Sequence, residues 1–426
     1  MIIETFTVQN YMGFAAQEFT LHKQFNLFAG VNGSGKTSLL EALADSLGLW
    51  HSVARHYGTR NIRKARVRRD WVGSNGASSL EPQYPCAIKA TGSIAEVPVA
   101  WERGLYDEIK AAWPTQTSAT RKTIQNLIAS ARNGEPVVLP LIAYYGDARL
   151  HLDRQVRASR GGKEDPRHLK NSLSRLEGLR NSLDSRIAWK DWVQWVAKQE
   201  WRTFQDRTEP PEYALFKTAV LSCLEGGESF GYDARSEEIL VGIAGHGVLP
   251  LADLSAGQKI MVMMVGDLAR RMALLNPHLG PDCLMKTPGI VLIDELDLHL
   301  HPIWQRTIPH SLKNTFPSVQ FVCTSHSPQI IGELPAAEVH LLKDGTVVHP
   351  GQSFGMDSNW ILEVLMGGAD MNQEVVADLE RVQDFLMEKK ITEAASLVTA
   401  LRSRVGNSGA IQGAASSVER FKILGR

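Results

Sequence analysis

Cysteine is scarce. The 426 residues hold four, Cys86, Cys223, Cys283 and Cys323, far apart and with no CxxC pair. That spacing argues against a zinc site and against a disulfide scaffold, and it suits a reducing compartment. Long apolar runs are missing too: none approaches the roughly 20 residues that span a bilayer. The opening, Met1-Ile2-Ile3-Glu4-Thr5, lacks the basic-then-apolar layout of a signal peptide. The expectation is a soluble, cytoplasmic protein with no membrane partner. Net charge is absent as well, 46 Lys+Arg against 46 Asp+Glu. Any nucleic-acid contact must then come from a local patch rather than from a global field. The length predicts two or three domains with ample core.

What is present centres on Gly30-Val31-Asn32-Gly33-Ser34-Gly35-Lys36-Thr37-Ser38. It matches the phosphate-loop pattern of Gly, four residues, then Gly-Lys-Thr. Phe25 to Ala29 in front reads as a buried strand, and Ser38 to Ala44 behind reads as the opening of a helix. Glycines let successive backbone N–H groups converge on a triphosphate, and the helix amino terminus adds partial positive charge. Lys36 is expected to reach the outer phosphates and the Thr37 hydroxyl to ligate Mg²⁺. The chain therefore reads as a nucleotide-binding protein with ATP and Mg²⁺ as cofactors.

Around that loop the pattern is α/β. Ile2 to Val8 and Glu18 to Leu21 read as strands, and Cys86 to Trp101 reads as a hairpin broken at Gly92-Ser93. Thr117 to Arg132 is helical in pattern. Val137 to Tyr145 reads as a central strand, against which Pro140 counts. Residues 149 to 206 are polar, net basic and helical in propensity, with Leu173, Leu176, Leu179 and Leu183 at helical spacing. Trp189, Trp192 and Trp195 form a stripe that reads as core rather than as a base-stacking platform. A helix is expected near Ala214 to Glu225, and short strands near Tyr232 and from Glu238 to Val241. The apolar strands Gly289 to Ile293 and Val319 to Thr324, separated by a helix, indicate a parallel sheet. Beyond Gly351 a run of short helices follows.

Asp294-Glu295 ends an apolar strand, where ligands bind in open α/β sheets. Asp294 would hold Mg²⁺ and Glu295 would take the proton of the attacking water. Ser325-His326 ends the next strand, and His326 could report the γ-phosphate. His299 and His301 invite a metal reading, but no third ligand is evident and loop packing is the preferred role. From His51 to Arg69 the chain is basic without an acid. Arg63, Arg66, Arg68 and Arg69 are candidate nucleic-acid contacts; a solvated, charge-balanced face is the other reading.

Together these residues resemble the ABC-type AAA ATPases, in their soluble branch of RecF-, SMC- and OLD-like proteins. Gly30 to Ser38 matches Walker A, Ile290 to Glu295 matches Walker B, and Leu254 to Lys259 looks like the signature motif. Asp294 to Pro302 is similar to the acidic-then-LHxHP segment of that branch. The resemblance implies an ABC-type ATPase domain over 1–355 and a helical C-terminal extension over 356–426. It divides the first into a Walker A lobe (1–148), an inserted helical and signature lobe (149–283) and a Walker B part (284–355). It implies ATP held by Gly30, Asn32, Gly33, Ser34, Gly35, Lys36, Thr37 and Ser38. It further implies Mg²⁺ on Thr37 and Asp294, catalysis by Glu295 and His326, and closure by Ser255, Gly257 and Gln258 of a second copy set head to tail. Two departures stand out: Ala256 replaces a signature glycine, and Tyr145-Gly146-Asp147-Ala148-Arg149 occupies the usual glutamine loop.

At finer grain the chain looks like the PtuA ATPases of Septu and related retron defence systems. The signs are Tyr-Tyr-Gly-x-x-Arg at 144–149, Glu-Pro-Gln-Tyr-Pro at 81–85 and the helical tail. That resemblance implies a separate HNH nuclease partner, PtuB-like, and a slow ATPase that is not itself a nuclease. The other readings are a RecF-like DNA-binding repair ATPase and an ATP-bound scaffold without turnover. An OLD-type nuclease would need a C-terminal acid cluster that the roughly seventy residues after Gly351 lack.

Overall fold

The structure, a computed structural model, describes residues 1–54, 60–72, 79–108, 111–112, 117–150, 174–187, 189–343, 346–367, 373–406 and 408–424. The chain divides into two compact units, Met1–Asp357 and Ser358–Arg426.

The first unit is built on a six-stranded sheet. Its order is Thr346–Val348, Val339–Lys343, Phe25–Ala29, Val319–Ser325, Gly289–Ile293 and Leu141–Tyr145. The last five are parallel, and only Thr346–Val348 joins antiparallel. Every residue of Phe25–Ala29, Gly289–Ile293 and Val319–Ser325 is buried, as strands covered on both faces require. The register sets Ala29 opposite Ser325, and Ile293 opposite both Cys323 and Tyr145. Their carboxyl ends therefore finish along one edge, and the loops that follow meet there.

A five-stranded antiparallel sheet lies beside it, ordered Phe14–Thr20, Ile2–Tyr11, Cys86–Ile94, Val97–Leu105 and Ala111–Ala112. Gln320 ties the two sheets together. Its amide donates to the carbonyls of Ile3 (2.8 Å) and His22 (2.9 Å), and its oxygen accepts Ile3 N–H at 2.9 Å. The hairpin turns at Ala95-Glu96, both at positive φ, and not at Gly92-Ser93 as the glycine suggests. Gly92 stays inside the strand because a Cβ there would meet the Ile2 carbonyl at 2.0 Å. Here glycine marks close approach of the neighbouring strand rather than a turn.

Two further expectations shift. The apolar run at 137–145 becomes a strand only from Leu141, after Pro140, and it lies at the sheet edge rather than its centre. It is as apolar as a central strand because its outer side is covered: Tyr144 and Gly146 donate to the carbonyls of Ser182 and Ser185. The leucine run is not a helix of its own. Leu173 lies outside the described residues, Leu176 and Leu179 sit in a 3₁₀ turn, Arg175–Leu179, and Leu183 follows in a turn; these three are buried. Arg271 takes the carbonyls of Gly178 and Arg180, and His51 lies on that of Leu179, so the acceptors a helix would use are already taken.

Helices Trp189–Asp206 and Pro211–Cys223 precede a three-stranded sheet, Gly227–Asp233, Glu238–Ile243 and Gly247–Pro250, whose last strand went unread in the sequence. Trp192 is fully buried between Trp189, Phe216 and Phe230, and the half-buried Trp195 packs on Tyr213 and Phe216, so the centre of the tryptophan stripe is core and its two ends are partly exposed. The second unit packs the helices Gln373–Met387, Ile391–Val405 and Gly409–Leu424 around Val382, Leu386, Val398, Leu401, Ile411 and Val418. No helix among the described residues is long and apolar enough to cross a membrane.

Candidate nucleotide site

The phosphate loop leaves its strand at Ala29 and enters the helix Lys36–Ala54. Gly33 and Gly35 hold φ of 80° and 99°, a region that L side chains rarely adopt. At Gly35 a Cβ would also meet the Phe14 ring at 2.8 Å. Lys36 is buried, and its ammonium donates to the carbonyls of Gly30 and Val31, each at 2.9 Å. Burial pushes its pKa down, while the carboxylates of Asp294, Glu295 and Asp297 act against that. No carboxylate among the described residues forms an ion pair with it.

Opposite the loop stands the end of Gly289–Ile293. Asp294 is buried; its Oδ1 accepts the Thr324 hydroxyl at 2.5 Å, and its N–H donates to the Tyr145 carbonyl at 2.8 Å. Glu295 has a φ of 48° and donates its N–H to Thr324 Oγ1 at 2.8 Å. His326 follows Ser325, and its N–H donates to Asp297 Oδ1 at 3.4 Å. Burial first, and then the charge of Lys36, lowers the pKa of its ring. Asn32, Gly33, Gly35, Lys36, Thr37, Ser38, Asp294, Glu295 and His326 line one cleft of about 200 Å³. Nine residues from three separate stretches of sequence thus face one space.

This donor set fits a metal-bound polyphosphate. A buried ammonium and a glycine loop face two carboxylates and a hydroxyl, so anion and cation each meet the opposite charge. Thr37 and Asp294 are the groups that would share a divalent ion with the phosphates. No cluster of three His, Cys, Asp or Glu side chains that would hold a metal unaided occurs among the described residues.

The signature residues lie elsewhere. Ser255 caps the 20-residue helix Ala256–Leu275 in a reciprocal capping box with Gln258. None of Ser255, Gly257 and Gln258 lines the cleft of the same chain. Gly257 packs against the His299 carbonyl, which a Cβ would approach to 2.6 Å. Ala256 is exposed at the first helical position and is not at positive φ, so alanine fits where the resemblance expects glycine. His301 caps the helix Pro302–Thr315 through Nδ1, and His299 is exposed in the preceding turn.

The basic run splits in two. Arg60 and Arg66 turn inward, both paired with Glu41 and with the fully buried Asp45, which also accepts the Tyr11 hydroxyl. Arg66 is therefore not available to a nucleic acid, contrary to the sequence expectation. Arg68 pairs with Asp70, Arg63, Lys64 and Arg69 are exposed, and Arg55 lies outside the described residues. Sequence reasoning also passed over Glu41, Asp45 and Thr324. Glu41 in the second turn of the helix Lys36–Ala54, with Asp45 four residues on, is the only signal the first two leave.

Residues 5–194 match the family model described as "AAA domain", and residues 160–332 match that described as "AAA domain, putative AbiEii toxin, Type IV TA system". Over 395 residues the chain is 24% identical to the "Retron Vc95 probable ATPase" of Vibrio cholerae serotype O1 biovar El Tor, covering 80% of this chain and 73% of that protein. Over 329 residues it is 30% identical to the Septu protein PtuA of Bacillus mycoides (strain KBAB4), covering 76% of this chain and 38% of that protein. Among solved structures, the SmcHead bound to the C-winged helix domain of ScpA shares its fold, with a TM-score of 0.50 and 16% identity over 83% of this chain and 98% of that one. The chain is thus similar to AAA domains across residues 5–332, to the Septu protein PtuA and to retron ATPases, and it shares the fold of an SMC head.

Proposed function

We propose that this chain binds and hydrolyses ATP as the regulatory subunit of an anti-phage defence complex whose cutting is done by a separate, PtuB-like HNH nuclease. The observation that carries the ATPase half is the meeting of Lys36, Thr37, Asp294, Glu295 and His326 on one cleft. The defence half rests on the relatives named above. In this reading Lys36 swings from the carbonyls of Gly30 and Val31 to the outer phosphates. Thr37 and Asp294 would hold Mg²⁺, which would supply charge neutralisation for the phosphates. Glu295 accepts the proton of the attacking water. His326, its ring pKa lowered, is a neutral partner for the γ-phosphate near neutral pH. Ser255, exposed at the start of its helix and outside its own cleft, is available to the nucleotide of a second copy set head to tail, with Gly257 buried just behind it.

Replacing Lys36 by Ala tests the cleft. It removes the buried cation of the loop, a charge-assisted contact of roughly 1.5–3 kcal/mol. Calorimetry should show ATP affinity reduced about tenfold or more; unchanged affinity would overturn the assignment. Copurification of the wild-type chain with an HNH nuclease from its own genomic neighbourhood, absent with an unrelated nuclease, tests the partner.

A further inference from the structure

We propose that Arg149 is a positioning residue that sets the orientation of Glu295, and that its loss lowers turnover while leaving nucleotide binding in place. This rests on the reading of Glu295 as the proton acceptor.

Arg149 is 2% exposed. Among the described residues no carboxylate forms an ion pair with it; its guanidinium goes to main-chain carbonyls instead. It donates to Asp294 O at 2.5 Å, to Glu295 O at 2.7 Å and to Gly146 O at 3.1 Å. The place is specific. The parallel ladder between Leu141–Tyr145 and Gly289–Ile293 ends with Asp294 N–H on the Tyr145 carbonyl. Beyond it the carbonyls of Asp294 and Glu295 have no strand to pair with, and buried carbonyls require donors. The chain turns at Gly146, and Arg149 comes back beneath them as a two-pronged substitute for the missing strand.

From the opposite flank Thr324 takes the Asp294 carboxylate and the Glu295 N–H, and its carbonyl accepts Leu296 N–H at 2.8 Å. The dipeptide is thus gripped on its carbonyls by Arg149 and on its N–H side by Thr324. Glu295 needs such a grip, because its φ of 48° is costly for a residue with a Cβ. That conformation decides which way the carboxylate enters the cleft. Lysine in place of Arg149 keeps the charge but puts a single nitrogen on a flexible stem where the planar fork had two, so the carbonyls of Asp294 and Glu295 lose their separate, fixed donors.

The test compares phosphate release and ATP affinity for wild type, Arg149→Lys, Glu295→Gln and the double variant. Arg149→Lys should lower kcat by roughly 10–100-fold, the usual range for an outer-shell partner. ATP affinity by calorimetry should stay within about threefold, and adding Arg149→Lys to Glu295→Gln should cost no further rate, because the residue acts through Glu295. Wild-type turnover in Arg149→Lys overturns the proposal, and so does an equal loss in both backgrounds. Should the lysine variant fail to fold, Arg149→Ala with added guanidinium replaces it. Recovery of both Tm and kcat supports positioning, whereas recovery of Tm without kcat overturns it. A wild-type protein that releases no more phosphate than Glu295→Gln overturns the hydrolysis reading itself, and the role of Arg149 with it.

Discussion

Thr324 donates its hydroxyl to Asp294 Oδ1 at 2.5 Å and with the same oxygen accepts Glu295 N–H at 2.8 Å. One side chain thereby orients the residue assigned to Mg²⁺ and the backbone of the residue assigned to water. Thr324→Val keeps the shape and removes both bonds, leaving the half-buried Glu295 N–H and the buried Asp294 carboxylate without this partner. Such a loss costs about 1–3 kcal/mol. Phosphate release should fall on the order of tenfold and half-saturation should shift to higher Mg²⁺, while Thr324→Ser should stay near wild type. A Mg²⁺ titration of all three proteins checks this, and identical curves would remove Thr324 from the site.

Glu295→Gln keeps the size of the side chain and loses the proton acceptor. Turnover should drop on the order of 10²–10⁴-fold, the range general-base catalysis supplies. ATP should still bind, and the nucleotide-bound pair should accumulate on size exclusion. An ATP-bound scaffold without turnover would show no difference from wild type in steady-state phosphate release.

The basic segment separates by direction. Arg63, Lys64 and Arg69 are exposed, as is Trp71. Replacing the three by alanine should flatten the salt dependence of duplex binding by about one unit of log–log slope for each phosphate no longer neutralised. Arg66→Ala should act on stability instead, because Glu41 and Asp45 lose a cation that Arg60 only partly replaces. A loss of about 1–3 kcal/mol in chemical denaturation is expected. An unchanged slope in the triple variant would take nucleic acid off this surface.

Acid should weaken the fold through His340. The ring is buried, stacks on Phe28 at 4.5 Å between centroids, and meets Asn26 Oδ1 at 3.0 Å through Nε2. Burial, and then the neighbouring His349 and His22, push its pKa down to about 3. The unfolded chain takes up a proton near the ordinary histidine value, and the folded one does not until about 3. Stability is therefore complete above about pH 6.5 and falls through the window down to about 3, at roughly 1.4 kcal/mol per unit for one group. His340→Gln, which keeps a donor for Asn26, should flatten that slope in urea melts at pH 7, 6 and 5.

The parts of the site that sequence made legible are those whose chemistry fixes both residue type and local context. A glycine loop between strand and helix, and two acids closing an apolar strand, have few other uses. The parallel sheet followed from the same strands. Partners were not legible. Whether Arg66 meets a phosphate or Asp45 depends on where residues 41–45 lie once the helix has packed, and no spacing encodes that. Gly92 misled because a glycine that admits a neighbouring strand looks, in one dimension, like a glycine that turns the chain. The run at 137–145 misled because a sheet edge covered by another segment is as apolar as a centre.

The strand that feeds the phosphate loop has a bearing on synthesis. Phe25–Ala29 lies between Val319–Ser325 and Val339–Lys343, so both of its neighbours come from far later in the chain. Asn26 donates to the Phe321 carbonyl across 295 positions, and Gln320 reaches Ile3 across 317. At 5–20 residues per second the ribosome takes roughly 15–60 s to bridge such a gap. Throughout that interval the nascent strand is apolar, unpaired and open to chaperones or to other chains. The nucleotide cleft is accordingly a late product of translation, closed only after Val319–Ser325 has emerged to pair with Phe25–Ala29. Truncated products that stop short of Val319 lack both strands that would flank Phe25–Ala29, and with them Ser325-His326 at the end of the cleft.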